Sequence, residues 1–137
     1  MAESPELKKS VLVVEDEQSI RDILVELFDV ESNDVVSAEL LPDALEKLRA
    51  RRFDLVVTDL RLGGKRDGGL QVMALAGMLS PDATVLVLTA YPDDSNRQAS
   101  FRLGALHFLE KPVDLATIAQ HAANADVRTA FAAARSA

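Results

Sequence analysis

The sequence predicts an α/β domain in which a doubly wound sheet of five parallel strands carries helices on both faces. Five short, β-branched or apolar runs alternate with five segments of helical periodicity, which is the order that βα repeats produce. Three of the runs are almost wholly apolar, as expected for strands buried on both faces of a parallel sheet. The 137 residues suffice for one domain with a substantial core.

The five predicted strands differ in how apolar they are. The first, third and fourth contain few polar residues, whereas the second contains Asp34 and Ser37 and is therefore predicted to lie nearer an edge of the sheet. In chain order, the predicted strands are residues 11–14, 34–37, 55–58, 84–88 and 106–109.

Helical periodicity fills the segments between and after the strands. The first helix follows Ser19, and the second opens at Pro42, since proline is favoured in a first helical turn. The fourth, residues 93–103, is mostly polar and ends at Gly104, and the fifth is capped by Asp114. The residues assigned to the inward face of the third helix are Leu70, Met73, Ala74, Gly77 and Met78.

The end of the chain is rich in alanine. Helical spacing continues there, at Val127, Ala130, Phe131 and Ala134. This spacing predicts one long final helix. The alternative is a helix that couples the domain to a partner or to a second copy of the chain. We divide the chain into an N-terminal tail (1–8), a folded domain (9–125) and a C-terminal extension that is either helical or the start of a linker (126–137).

Composition excludes several classes of function. With 15 Lys plus Arg against 22 Asp plus Glu, the net charge is −7, so the domain is expected to bind neither nucleic acid nor an anionic membrane directly. The absence of Cys excludes disulfides, thiolate catalysis and Cys-ligated zinc. The N-terminus lacks an apolar signal-peptide core and no run is long enough to span a membrane, so we expect a cytoplasmic protein.

The two histidines give no sign of a metal site. His107 and His121 lie fourteen residues apart, which is not the spacing of a local ligand pair. We expect His107 to be structural or on the surface, and His121 to be exposed on the last helix.

The turn after the first strand argues against a nucleotide-binding fold. It reads EDEQS at residues 15–19, and the first glycine of the chain is Gly63. Dinucleotide and P-loop sites need glycines at this turn so that backbone amides can approach a phosphate. Three carboxylates would repel a phosphate there, whereas they would suit a cation.

Four predicted strands end in residues that suit phosphoryl chemistry, at the edge of the sheet where ligands collect. Glu15 and Asp16 follow the first strand and Asp59 the third. Such carboxylates repel one another unless a cation neutralises them, and Mg²⁺ takes one or two carboxylates together with waters and a phosphate. Thr89 and Lys111 follow the fourth and fifth strands and could hold phosphoryl oxygens. The set fits phosphoryl transfer through an aspartyl-phosphate.

Four motifs at these strand ends resemble the receiver domain of the two-component response-regulator family. They are VLVVEDE (11–17), LVVTDL (55–60), VLVLTAY (85–91) and GALHFLEKP (104–112), in the family's order and spread over about residues 8 to 125. The resemblance implies a flavodoxin-like sheet with the strand order 2-1-3-4-5.

The resemblance also implies which residues accept the phosphoryl group and bind the metal. Asp59 matches the phospho-acceptor. Glu15 and Asp16 match the acidic pair that binds Mg²⁺ directly or through water, with Glu15 as a tolerated variant of Asp. The backbone carbonyl of Arg61 matches the third protein ligand.

Further matches implied by the resemblance concern the switch. Thr89 matches the switch hydroxyl, Ala90 the small residue that leaves room for the phosphoryl group, and Phe108 the switch aromatic. Lys111 matches the family's lysine, and its bond to Pro112 matches a peptide bond that is usually cis.

The loop after Asp59 departs from the family pattern. Gly63 stands where proline is usual, and the loop to Asp67 is one residue longer than is common. Residues 63–69 are therefore expected to be flexible, because glycine loses much entropy on ordering. Arg61 and Tyr91 match positions that tune how fast the phosphoryl group is lost.

The function that the resemblance implies is a signalling switch. A histidine kinase or a histidine phosphotransfer protein would phosphorylate Asp59 with Mg²⁺ bound. The face made by the fourth helix, fifth strand and fifth helix would then change its affinity for a downstream target, with a homodimer as a further option. Enzymatic activity would be limited to self-phosphorylation and auto-dephosphorylation.

Two alternatives remain open. One is a Mg²⁺-dependent phosphohydrolase that uses the same carboxylates on an external phosphoester, which would need a substrate pocket and a general acid. The other is a receiver that no longer signals by phosphate, against which the intact set of five site residues argues.

Overall fold

The computed structural model describes residues 8–131 and has the predicted fold class. Its five parallel strands have the order β2-β1-β3-β4-β5, so the strand order is confirmed and β2 lies at an edge. The elements are, in chain order, β1 (Lys9–Val14), α1 (Gln18–Phe28), β2 (Asn33–Ala38), α2 (Leu41–Ala50), β3 (Leu55–Asp59), α3 (Gly68–Leu79), β4 (Thr84–Thr89), α4 (Asp94–Arg102), β5 (Ala105–Glu110) and α5 (Leu115–Asn124).

The core has two layers, one on each face of the sheet. Val11 and Val13 of β1 pack with α1 and α5, whereas Leu12 and Val14 pack with α2 and α3, because successive strand residues point to opposite faces. Every residue of β3 is buried. Burial on both sides explains why the central strands are continuously apolar rather than alternating. Within residues 8–131, no helix has the length and apolar character needed to cross a membrane.

The inward face of α3 differs from the prediction. Met73 is buried as expected, but Ala74, Gly77 and Met78 are exposed, and Val72 and Ala76 take the inward positions. The twelve residues of α3 include no charged side chain. On a helix that is apolar nearly all round, periodicity cannot distinguish the inward positions from the outward ones.

The prediction of one long final helix is wrong within the described residues. α5 ends at Asn124, and Asp126 has a positive φ of 63°. The Val127 amide then donates to the carbonyl of Ala122 at 2.9 Å, and the Val127 side chain is buried in the layer formed by α1 and α5. Turning back buries an apolar side chain that a straight helix would expose. Ala134 lies outside the described residues, and the division of the chain into tail, domain and extension stays a prediction.

The two histidines stack on each other across the sheet–helix interface. The ring centroids of His107, on β5, and His121, on α5, are 3.6 Å apart, with an angle of 22° between the planes. Burial lowers the pKa of His121, and the nearby His107 lowers it further. The expectation that His121 is exposed is therefore wrong, because the crossover from β5 brings α5 back over the strand that carries His107.

Candidate functional site

Three carboxylates meet at the carboxyl edge of the sheet. Glu15 and Asp16 follow β1, and Asp59 ends β3. β1 and β3 are adjacent parallel strands, so their carboxyl ends lie side by side. One carboxylate oxygen from each residue lies within 4.8 Å of the other two. Glu15 and Asp59 are buried and Asp16 is half-buried, so their charges are only partly screened by water.

Lys111 bridges two of these carboxylates. Its Nζ donates to Oε1 of Glu15 at 2.8 Å and to Oδ2 of Asp59 at 3.0 Å. The exposed fractions of the three side chains are small: 14% for Lys111, 1% for Glu15 and 9% for Asp59. The lysine is placed by the end of β5, where its amide donates to the carbonyl of Thr89 at 2.7 Å. It supplies the cation that two buried carboxylates require.

The charges of the site are strongly coupled. Burial raises the pKa of Glu15 to about 7; the nearby charge of Asp59 acts in the same direction, while the hydrogen bond from Lys111 opposes it. Burial alone would lower the pKa of Lys111, but its hydrogen bonds and charge interactions with Glu15 and Asp59 outweigh that effect and raise the pKa. The cluster thus holds three carboxylates and one ammonium, which pairs with two of them, and the excess of hard oxygen donors fits a cation such as Mg²⁺.

The carboxylate oxygens differ in how far they are already engaged. Both oxygens of Glu15 are used, because Oε2 accepts from the Glu17 amide at 3.1 Å. Oδ2 of Asp16 accepts from the Gly63 amide at 3.0 Å, whereas its Oδ1 accepts no hydrogen bond from residues 8–131. Within the described part of the chain, Oδ1 of Asp59 accepts only a long contact of 3.4 Å from the Arg61 amide. Asp16 and Asp59 therefore each keep one oxygen with little or no competition.

Thr89 and Tyr91 lie on the neighbouring strand end. Asp59 is in register with Leu88 of β4. Thr89 therefore lies one residue beyond the β4 partner of Asp59. Thr89 is buried, and its Oγ1 accepts from the Tyr91 amide at 3.0 Å. The guanidinium of Arg61 lies 4.6 Å from the centre of the exposed Tyr91 ring. The side chains of Arg61 and Tyr91 thus form a stacked pair at the rim, while the metal role of the Arg61 carbonyl stays a prediction.

Phe108 lies apart from the carboxylates. It is half-buried on β5 and packs against the layer formed by α2 and α3. Its ring centre is 6.5 Å from that of Phe101 on α4, with an angle of 53° between the planes. Phe108 therefore links β5 to α4, and its switch role stays a prediction. The peptide bond between Lys111 and Pro112 is cis, as the resemblance implies.

Three contacts at the site were not predicted from the sequence. The Arg21 side chain donates to the backbone carbonyl of Glu15 at 2.8 Å and fixes the acidic turn. A side chain on Gly69 would collide with the carbonyl of Asp59, so glycine lets α3 begin directly against β3. The third is the Gly63 amide on Asp16 described above. For the contacts of Gly63 and Gly69, the sequence offers one signal, the unusual glycine content after β3, which by itself predicts only flexibility.

Comparison with known proteins places the same motifs in a family. Residues 11–123 match the family model of the response regulator receiver domain. The chain is 34% identical over 119 residues to the response regulator protein PilR of Pseudomonas aeruginosa, covering 86% of this chain and 26% of PilR. It is 30% identical to sporulation initiation phosphotransferase F of Bacillus subtilis, covering 80% of this chain and 86% of that protein.

A solved structure is similar in both fold and sequence. It is a response regulator protein from Burkholderia pseudomallei with a phosphorylated aspartic acid, a calcium ion and citrate. The TM-score is 0.75 and the sequence identity 31%, over 87% of this chain and 69% of that one. The present chain thus spans about a quarter of PilR but most of the Bacillus phosphotransferase.

Proposed function

The chain belongs to the family of response regulator receiver domains, and we propose that it acts as a phospho-acceptor switch with Asp59 as the acceptor. The observation that carries this proposal is the cluster of Glu15, Asp16 and Asp59 with Lys111 bonded across it. A nucleophilic carboxylate, a cation site and an ammonium group at one strand edge are the parts that phosphoryl transfer needs.

In the proposed reaction, a carboxylate oxygen of Asp59 attacks the phosphorus of a phosphohistidine on a histidine kinase or histidine phosphotransfer protein. The new O–P bond makes an acyl phosphate, the N–P bond breaks, and the imidazole leaves with its electron pair. Oδ1 of Asp59 is the better candidate for attack, since Oδ2 accepts from Lys111. Lys111 would then turn from Oδ2 to a phosphoryl oxygen and offset the added negative charge.

Glu15, Asp16 and Asp59, with the backbone carbonyl of Arg61, would hold Mg²⁺ in this proposal. Their oxygens are the hard ligands that Mg²⁺ prefers, and three acidic side chains exceed the single charge of Lys111. When bound, the ion would supply positive charge to the transferring phosphoryl group. The similar Burkholderia protein, solved with a phosphorylated aspartic acid and a calcium ion, supports this reading.

Stoichiometric uptake of one phosphoryl group per chain is expected when the protein is incubated with acetyl phosphate and Mg²⁺. A small donor needs no docking surface, so Asp59 and the bound ion should suffice. Intact-mass spectrometry measures the adduct, and an orthophosphate assay measures turnover. Release of many phosphates per chain from phosphoesters, with no adduct, would instead favour the phosphohydrolase alternative, which neither the family model nor the relatives support.

The proposed output face consists of α4, β5 and the first turns of α5. α4 packs shallowly, with Ser100 as its one buried residue, and shallowly packed elements open and rearrange at low cost. Phe101 and Leu106 leave apolar surface on this face, with exposed fractions of 42% and 56%. We propose that a downstream target docks on this face, and a second copy of the chain is the alternative occupant. A cytoplasmic location stays an expectation.

Amide hydrogen exchange with Mg²⁺ and beryllofluoride, a phosphoryl mimic, is expected to change in α4 and β5. The mimic shifts the equilibrium between conformations only as far as its affinities for them differ, so partial changes are sufficient. Asp59→Asn, which should not bind the mimic, is the control and is expected to show no change. Changes confined to the loops after β1 and β3 would contradict this output face.

A further inference from the structure

The loop after β3 folds into a small hairpin, residues 62–65. The Leu62 amide donates to the carbonyl of Lys65 at 3.1 Å, and the Lys65 amide donates to the carbonyl of Leu62 at 3.0 Å. Gly63 and Gly64 between them have φ values of 57° and 86°. Two consecutive positive φ values close a two-residue hairpin turn and favour glycine. The two glycines therefore define a specific shape, so residues 63–65 of the segment expected to be flexible belong to a hydrogen-bonded turn.

The tip of this hairpin touches the acidic cluster. The Gly63 amide donates to Oδ2 of Asp16 at 3.0 Å, between residues 47 apart in the chain. A side chain on Gly63 would collide with the side chain of Leu40, so glycine allows the tip to pack against Leu40 while its amide reaches Asp16. Proline, the residue that the family pattern places here, has no amide hydrogen to donate.

We propose that Gly63 is a positioning residue that holds Asp16 in the orientation needed to bind the metal. The inference rests on the proposed function, because it takes Asp16 as a ligand of Mg²⁺. The amide bonds to Oδ2 and so leaves Oδ1 for the ion. A ligand carboxylate that is already oriented loses less freedom on binding, and groups that hold metal ligands typically contribute 10–100-fold in metal affinity.

The hairpin also joins two parts of the proposed metal site. The hairpin begins directly after Arg61, whose carbonyl is the proposed third ligand. Its first residue, Leu62, is fully buried. The Arg61 amide in turn contacts Oδ1 of Asp59 at 3.4 Å. The segment from Asp59 to Gly63 thus connects the acceptor, the Arg61 carbonyl and, through the Gly63 amide, the carboxylate of Asp16.

Calorimetric titration of Mg²⁺ into wild type and Gly63→Pro tests the proposal, with an expected loss of affinity of about tenfold in the variant. Gly64→Pro is the matched control. Its ring imposes the same negative φ on the turn, where φ is 86°, but it has open space around it and keeps the Gly63 amide. Its affinity is expected to stay close to that of wild type, and thermal unfolding verifies that each variant is folded.

The outcomes separate the two proposals. Equal Mg²⁺ affinity in wild type and a folded Gly63→Pro variant would overturn the positioning role and leave the metal site standing. Failure of wild type itself to bind Mg²⁺ would overturn the proposed site and the positioning role together.

A second measurement needs no change to the hairpin. In wild type the amide hydrogen of Gly63 is expected to exchange at least about tenfold more slowly than that of Gly64, with and without Mg²⁺, because it donates to a carboxylate. Asp16→Ala is expected to remove that protection. Faster exchange of Gly63 on addition of Mg²⁺ would mean that the ion and the amide compete for Asp16, which would overturn the proposal.

Discussion

Asp59→Asn is expected to abolish phosphoryl uptake from acetyl phosphate, leaving the intact mass at that of the unmodified chain. An amide oxygen is a far weaker nucleophile than a carboxylate, and an amide cannot form the acyl phosphate. The fold should persist, because asparagine has nearly the same shape and its oxygen can still accept from Lys111. Mg²⁺ affinity should fall as well, since one of three clustered carboxylates is lost.

Asp82→Asn is the matched control for this experiment. Asp82 is exposed in the turn before β4, and its substitution removes the same charge from the chain without touching the cluster. It is expected to take up one phosphoryl group like wild type. An adduct that survives in Asp59→Asn would place the acceptor on another residue.

Lys111→Met is expected to destabilise the domain by about 3 kcal/mol at pH 8, because it leaves Glu15 and Asp59 buried without their cation. A domain of this size should remain folded after such a loss. Urea unfolding at pH 6 and pH 8, without Mg²⁺, measures the effect. The loss should be smaller at pH 6, where Glu15 can take a proton instead of remaining charged.

The sign of that pH dependence follows from Glu15. Its pKa in the folded protein, about 7, lies above the ordinary value of 4.5, so the folded state binds more protons than the unfolded state between these values. Stability contributed by this group therefore rises as the pH falls through 7. Removing the Lys111 ammonium should raise the pKa of Glu15 further and increase the stability that the domain gains as the pH falls.

A double variant provides the control for the lysine. Glu15→Gln combined with Lys111→Met removes both members of the closest ion pair, and it should recover part of the stability lost at pH 8. An equal loss for Lys111→Met at pH 6 and pH 8, with no recovery in the double variant, would contradict the proposed electrostatic role of Lys111.

The strands and the clustering of the site residues could be predicted because each depends on local sequence and one topological rule. Continuous apolar runs indicate strands buried on both faces, and the carboxyl ends of parallel strands collect at one edge. Glu15, Asp59 and Lys111 could be brought together on that basis, although they lie at the ends of three different strands. The inward face of α3 could not, because a helix without charged residues has no polar side to orient it.

Contacts made by backbone groups left little trace in the sequence. The bond from the Gly63 amide to Asp16 uses a donor that nearly every residue possesses, so residue type does not reveal it.

The path of the chain around α5 was also not predictable from the sequence. The stacking of His107 on His121 depends on how far α5 turns back over β5, which spacing along the chain does not measure. The turn at Asp126 was likewise hidden, because the apolar spacing that follows it fits a continued helix.

The position of Tyr91 gives the domain an optical reporter of its own. The chain contains one tyrosine and no tryptophan, so its intrinsic fluorescence at tyrosine wavelengths comes from a single ring. That ring lies under the Arg61 guanidinium, and the Tyr91 amide donates to the Thr89 hydroxyl. An event that moves Thr89 or Arg61 is expected to change the surroundings of this one fluorophore, so tyrosine emission offers a label-free test of whether the site is occupied.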